Sequence, residues 1–145
     1  MKRGVCLLAL ALLAAGCGGG GDRLSKGAYE EKLHAAFAAA FDRVKTQDVT
    51  PEAVATSYGG LATSLKGARP PANVQSLNED LVDGASKQAA ALNALVASVQ
   101  DKPKAVRDRI LAEFDPSAIA GRQEFDRAVA ALEAKGYRFR PSGGT

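Results

Sequence analysis

Residues 73–100 read NVQSLNEDLVDGASKQAAALNALVASVQ, and Val74, Leu77, Leu81, Ala85, Gln88, Leu92, Leu95 and Val99 recur along them at intervals of three and four. That spacing lines one face of a 3.6-residue helix and does not fit the period of two that a half-buried strand requires. The stretch predicts a long amphipathic helix from about Val74 to Gln100, with Asn73 as its cap. Its buried face is apolar except at Gln88.

Working back from this helix, Arg69-Pro70-Pro71 forces an extended connection, because a residue before proline avoids the helical region, and Gly67 ends whatever precedes it. Thr50-Pro51-Glu52 combines a capping hydroxyl, a proline at the first helical position and an acid at the positive end of the dipole. These signals predict a second helix whose stripe is Val54, Tyr58, Leu61 and Leu65. Gly59-Gly60 falls inside it at a cost of about 1 kcal/mol each relative to alanine, which suggests a close-packed neighbour there in preference to a hinge. Ser25 caps a first helix from about Lys26 to Lys45, carried by Tyr29, Leu33, Phe37, Phe41 and Val44.

Working forward, Asp101-Lys102-Pro103 restarts the chain, and Val106, Ile110 and Phe114 mark a fourth helix. Asp115-Pro116 repeats the signal of a cap followed by proline, and Ile119, Phe125, Val129 and Leu132 line a last helix, split near Gly121 and ended by Gly136. No stretch alternates with β-branched residues, so no sheet is expected. The fold class is all-α: an antiparallel up-and-down helical bundle of four long helices plus one or two short ones.

The first residues carry a different message. Lys2 and Arg3 precede an uncharged apolar run, Val5 to Ala15, and small residues follow it up to Cys17. The run is about 11 residues, whereas crossing the hydrocarbon core takes about 20, so it predicts a cleaved signal peptide. Leu13-Ala14-Ala15-Gly16-Cys17 resembles the lipobox of bacterial lipoproteins, although the family usually has an aliphatic residue where this chain has Ala14. The resemblance implies cleavage before Cys17, with a diacylglycerol on its sulfur and an N-acyl chain on its nitrogen. Cys6 lies in the removed segment, so Cys17 has no partner for a disulfide in an exported, oxidising compartment, and acylation removes that free thiol. Two or three acyl chains anchor stably where one binds reversibly.

The expected organisation is a signal peptide over residues 1–16, the lipidated cysteine and a Gly-rich tether over 17–23, a helical domain over 24–140 and a disordered tail over 141–145. A tether of about seven Gly-rich residues reaches only ~15 Å, which keeps the domain near the headgroups. The protein is expected outside the cytoplasm, on the outer face of the cell membrane.

Of the 145 residues, 129 remain after cleavage, with 17 basic against 16 acidic side chains. That balance leaves no electrostatic footprint for nucleic acid. His34 is the single histidine; with no free cysteine beside it, zinc coordination by nitrogen and sulfur is ruled out in a monomer, and it reads as a helix-surface or half-buried imidazole in preference to a ligand or base. No nucleophile elbow, P-loop or dinucleotide fingerprint occurs outside the tether glycines, which lack the preceding strand that a phosphate cradle needs. The acid pairs Glu30-Glu31 and Glu79-Asp80 are adjacent in sequence and so diverge around a helix. No enzyme is expected, and no cofactor beyond the covalent lipid.

Leu24-Ser25-Lys26, Leu65 leading to Arg69-Pro70-Pro71, Leu81-Val82, and Phe125, Ala128, Val129 and Leu132 closing on Gly136-Tyr137 resemble the small helical lipoproteins of actinobacteria. This resemblance implies an envelope location without a reaction. Two features could meet a ligand or partner. Gln88 either bonds across the bundle, snorkels to its edge or faces a ligand cavity. Tyr137-Arg138-Phe139-Arg140 either packs its rings on the bundle with the arginines outward or touches anionic headgroups or cell-wall polymer. The expected role is to present a helical surface to an unidentified envelope protein; the alternative is to carry a small apolar or lipid ligand in the core.

Overall fold

The computed structural model describes residues 23–46 and 49–139. Five α-helices make up the regular structure of these residues, and none of them forms a strand. They are α1 (Lys26–Thr46), α2 (Pro51–Lys66), α3 (Gln75–Val99), α4 (Lys104–Ala112) and α5 (Arg122–Ala134). Single 3₁₀ turns at Ala72–Val74 and Pro116–Ala118 precede α3 and α5. No described helix is long and apolar enough to cross a membrane.

Three of the expected caps form. Ser25 Oγ accepts the Ala28 N–H at 3.2 Å, and Thr50 Oγ1 accepts the Ala53 N–H at 3.2 Å. Asp115 Oδ1 accepts the Ser117 N–H at 2.8 Å, but it closes the 3₁₀ turn and not a long helix. Asn73 does not cap α3. Val74 stands at the cap position with no side-chain bond, because the 3₁₀ turn, tied by the Val74 N–H to Pro71 O at 3.0 Å, drives Val74 fully into the core and leaves Asn73 exposed.

The core draws Tyr29 and Leu33 from α1, Leu61 and Leu65 from α2, Leu81 and Ala85 from α3, and Phe125, Val129 and Leu132 from α5. Helix α3 packs against both α2 and α5, and α2 packs against α1. Rings join the elements: Phe37 lies 6.1 Å from Phe125 and 5.1 Å from Phe139, and Tyr58 meets Phe41 and Phe125 edge-on at 5.4 and 5.5 Å. Helix α4 buries no residue. Val106 and Ile110 on it and Phe114 just beyond it are half-buried, so the stripe that marks the helix does not enter the core.

The close approach expected at Gly59-Gly60 lies elsewhere. A Cβ at Gly59 would meet the Ala89 Cβ at an ordinary 3.8 Å, and one at Gly60 would meet nothing within 4 Å. The tight crossing is at Gly84. A Cβ there would come within 2.7 Å of Phe125 N and 2.9 Å of Gly121 O, so α3 and the start of α5 touch backbone to backbone. Gly121 holds φ at 84°, a left-handed value that glycine adopts without steric cost.

Candidate functional site

Cys17, the lipobox residues Leu13, Ala14, Ala15 and Gly16, and Arg140 lie outside the described residues. The remaining candidates do not converge on one site.

Tyr137 and Phe139 are 3% and 1% exposed, so their rings belong to the core and are not open to headgroups, polymer or a partner. The contact reading is corrected for these two residues. The left-handed Gly136, with φ 76°, turns the chain back over α1, where Tyr137 meets Tyr29 edge-on at 5.8 Å. Arg138 between them is exposed, and its backbone N–H is held by Glu30 Oε1 at 3.0 Å.

Gln88 is wholly buried, and neither its Nε2 nor its Oε1 has a hydrogen-bond partner. It therefore neither bonds across the bundle nor snorkels to an edge. It lines none of the four principal clefts, all of which are at the surface. Position 88 follows Gly84 by one turn on the same face of α3.

His34 is exposed, in a shallow cleft shared with Glu30, Glu31 and Arg138. Glu30 is already engaged by the tail N–H, and among the described residues no serine, threonine or cysteine lines the cleft for an imidazole to activate. Among the described residues no group of three or more His, Cys, Asp or Glu side chains is placed to hold a metal ion.

The most developed polar site is one that the local sequence does not announce. It is a cleft of about 450 Å³ where the chain enters the bundle, between the end of α2 and the start of α3. The Leu24 N–H bonds Arg69 O at 2.8 Å, which fixes the beginning of α1 against the connection made by Pro70 and Pro71. Arg23 then lies over that connection. Its Nη1 donates to Pro70 O at 3.1 Å, and its Nη2 donates to Gln75 Oε1 at 2.7 Å. Gln75 Nε2 passes the chain of bonds on to Glu79 Oε1 at 2.9 Å.

Lys66 and Arg69 complete the cationic lining, and Asn78 forms the inner wall. Asn78 is 5% exposed and is held by the Tyr29 hydroxyl, which donates to its Oδ1 at 2.8 Å. Burial, reinforced by the neighbouring Tyr137, raises the Tyr29 pKa well above the ordinary tyrosine range and keeps that donor protonated. Arg23, Lys66 and Arg69 are spread over 47 positions of the sequence, so no local window shows a basic cluster.

Comparison with protein-family models, with curated proteins and with solved structures finds no match.

Proposed function

We propose that this chain is a bacterial-type lipoprotein, anchored through Cys17 on the outer face of the cell membrane, whose helical body acts without chemistry of its own by presenting a surface to another envelope protein. The observation that carries the reading is Leu13-Ala14-Ala15-Gly16-Cys17 behind an apolar run too short to span a bilayer, with the polyglycine Gly18 to Gly21 after it. The lipid is expected as a covalent diacylglycerol and N-acyl group. The bond from Leu24 to Arg69 is compatible with it, because it holds the start of the helical body, which follows the proposed tether in sequence, at one end of the bundle.

In this reading α1, α2, α3 and α5 form an antiparallel up-and-down bundle, with α4 as a short appendage. Paired contacts support that order. On α1 and α2, Leu24 meets Arg69 while Phe41 meets Tyr58; on α2 and α3, Leu65 meets Asn78 while Gly59 faces Ala89; on α1 and α5, Tyr29 meets Tyr137 just past α5 while Phe37 meets Phe125.

Replacing Cys17 by serine tests the anchor. Wild-type protein is expected to enter the detergent phase and to incorporate labelled fatty acid, and the Cys17→Ser protein to do neither; equal membrane retention of the two removes the reading. His34→Ala is expected to leave the cellular phenotype intact, since no proton transfer depends on that imidazole. Loss of phenotype in a His34→Ala protein of unchanged stability would move the weight to catalysis or ligand binding.

A further inference from the structure

We propose that the cleft bounded by Arg23, Lys66 and the first turn of α3 is a binding site for a phosphate ester of about the size of a glycerophosphate headgroup. The lipid-anchored reading is what brings this cleft to the headgroups; the site itself stands on the geometry of the cleft.

Arg23 is fixed at the cleft by two hydrogen bonds. Both of its observed bonds go to neutral acceptors, a backbone carbonyl and a side-chain amide, so its guanidinium is held in place while its charge is left uncompensated by them. A guanidinium has five donors in a rigid fork, and the two bonds leave N–H groups for an anion with two oxygens in the same plane. Lys66 is the second cation. It is exposed in the last turn of α2 and has no carboxylate partner among the described residues. Among the described residues that line the cleft, Glu79 is the one carboxylate beside Arg23 and Lys66, and one of its oxygens already accepts Gln75 Nε2.

At the carbonyl end of α2, which would repel an anion, one carbonyl is doubly occupied. Leu65 O accepts the Ala68 N–H at 3.0 Å and Asn78 Nδ2 at 3.4 Å. On the other side of the cleft, α3 begins without a side-chain cap, and Gln75, Asn78 and Glu79 of its first turns line the same space. A volume of about 450 Å³ lies in the range of small-molecule sites. It is open enough to admit a group still attached to a larger molecule. Phosphate is favoured over carboxylate because a tetrahedral anion has oxygens for both an arginine fork and a separate lysine, each as a charge-assisted hydrogen bond.

The test uses the whole chain in a neutral sugar detergent, titrated with sn-glycerol 3-phosphate, dihexanoyl phosphatidylglycerol and dihexanoyl phosphatidylcholine while amide and side-chain resonances are followed by NMR. Saturable shifts at Arg23, Lys66 and Gln75 are expected with the two anionic ligands. The variants Lys66→Gln and Arg23→Gln/Lys66→Gln should raise Kd by about tenfold or more. The control Lys102→Gln should not, because Lys102, bonded through its N–H to Val99 O, lies at the far end of the 25-residue α3, ~37 Å along its axis.

Tighter binding of phosphatidylglycerol than of glycerol phosphate identifies the source as a lipid headgroup; equal binding identifies a free phosphate ester. Absence of saturable shifts overturns the site, as does an unchanged Kd in both cleft variants or an equal loss in the control. The titration does not depend on acylation. A negative result beside positive fatty-acid incorporation therefore removes the site and leaves the anchor, and the reverse pair of results removes the anchor alone.

Discussion

At Gln88 the helix face and the hydrogen-bond account disagree. A buried amide with no partner costs about 1–3 kcal/mol for the groups left unmade, so this side chain weakens the fold it belongs to. Methionine has a similar length, an unbranched chain and good helix propensity, and it brings no polar group that needs a partner. Gln88→Met is expected to stabilise the protein by about 1–3 kcal/mol, read as a higher urea midpoint at unchanged slope. A lower midpoint would mean that the amide is bonded in solution. The sequence places Gln88 on the buried face correctly, because position on a helix follows from spacing alone. Its lack of a partner was not legible there, since partners come from other helices. Asn78, one step off the expected stripe, shows the converse. It is buried because the Tyr29 hydroxyl, 49 positions away, supplies its bond.

Among the elements, signals within a few residues of a helix end were readable and signals from packing were not. Ser25 and Thr50 cap their helices as local chemistry dictates, whereas Asn73 is displaced by a 3₁₀ turn whose cause is the burial of Val74. The glycines divide in the same way. In Gly59-Gly60 the sequence offers a conspicuous pair, yet the backbone contact is made by the single Gly84 against Gly121 and Phe125, a pairing of α3 with α5 that no local pattern encodes. The two sites should respond oppositely to alanine. Gly60→Ala is expected to stabilise by about 0.5–1 kcal/mol, because the position is exposed, helical and unobstructed. Gly84→Ala has the same gain in propensity, but its Cβ would sit 2.7 Å from a backbone nitrogen that cannot rotate away. A net loss of about 1–3 kcal/mol is expected, since relief requires α5 to shift. Urea midpoints check both; equal shifts of the two variants would mean that the crossing is not tight. Helix α4, with no buried residue, contributes little to this packing.

Across the whole molecule, the end of the bundle where α1 begins is closed by a contact among three parts of the chain. Tyr29 on α1 donates its hydroxyl to Asn78 on α3 and packs its ring against Tyr137 in the tail. This node makes stability sensitive to alkali. In the unfolded chain Tyr29 ionises near its ordinary value of 10.0, whereas in the folded protein burial first, and Tyr137 second, raise its pKa well above that. The folded state therefore holds a proton that the unfolded state releases. The associated stability is complete below pH 10 and is lost as pH rises from there toward the folded value, at about 1.4 kcal/mol per pH unit for one group. Tyr58, raised mainly by burial, has the same sign, as does Lys87, raised mainly by its hydrogen bonds to Asp83 and Glu124. The informative quantity is thus the difference between wild type and Tyr29→Phe. At neutral pH, Tyr29→Phe is expected to cost about 1–3 kcal/mol, because Asn78 Oδ1 loses its donor inside the core. Above pH 10 its stability should fall less steeply, so that the two curves of urea midpoint against pH converge. Parallel curves between pH 8 and 11 would show that the Tyr29 hydroxyl is not held protonated by the fold, and would remove the node as the source of alkaline sensitivity.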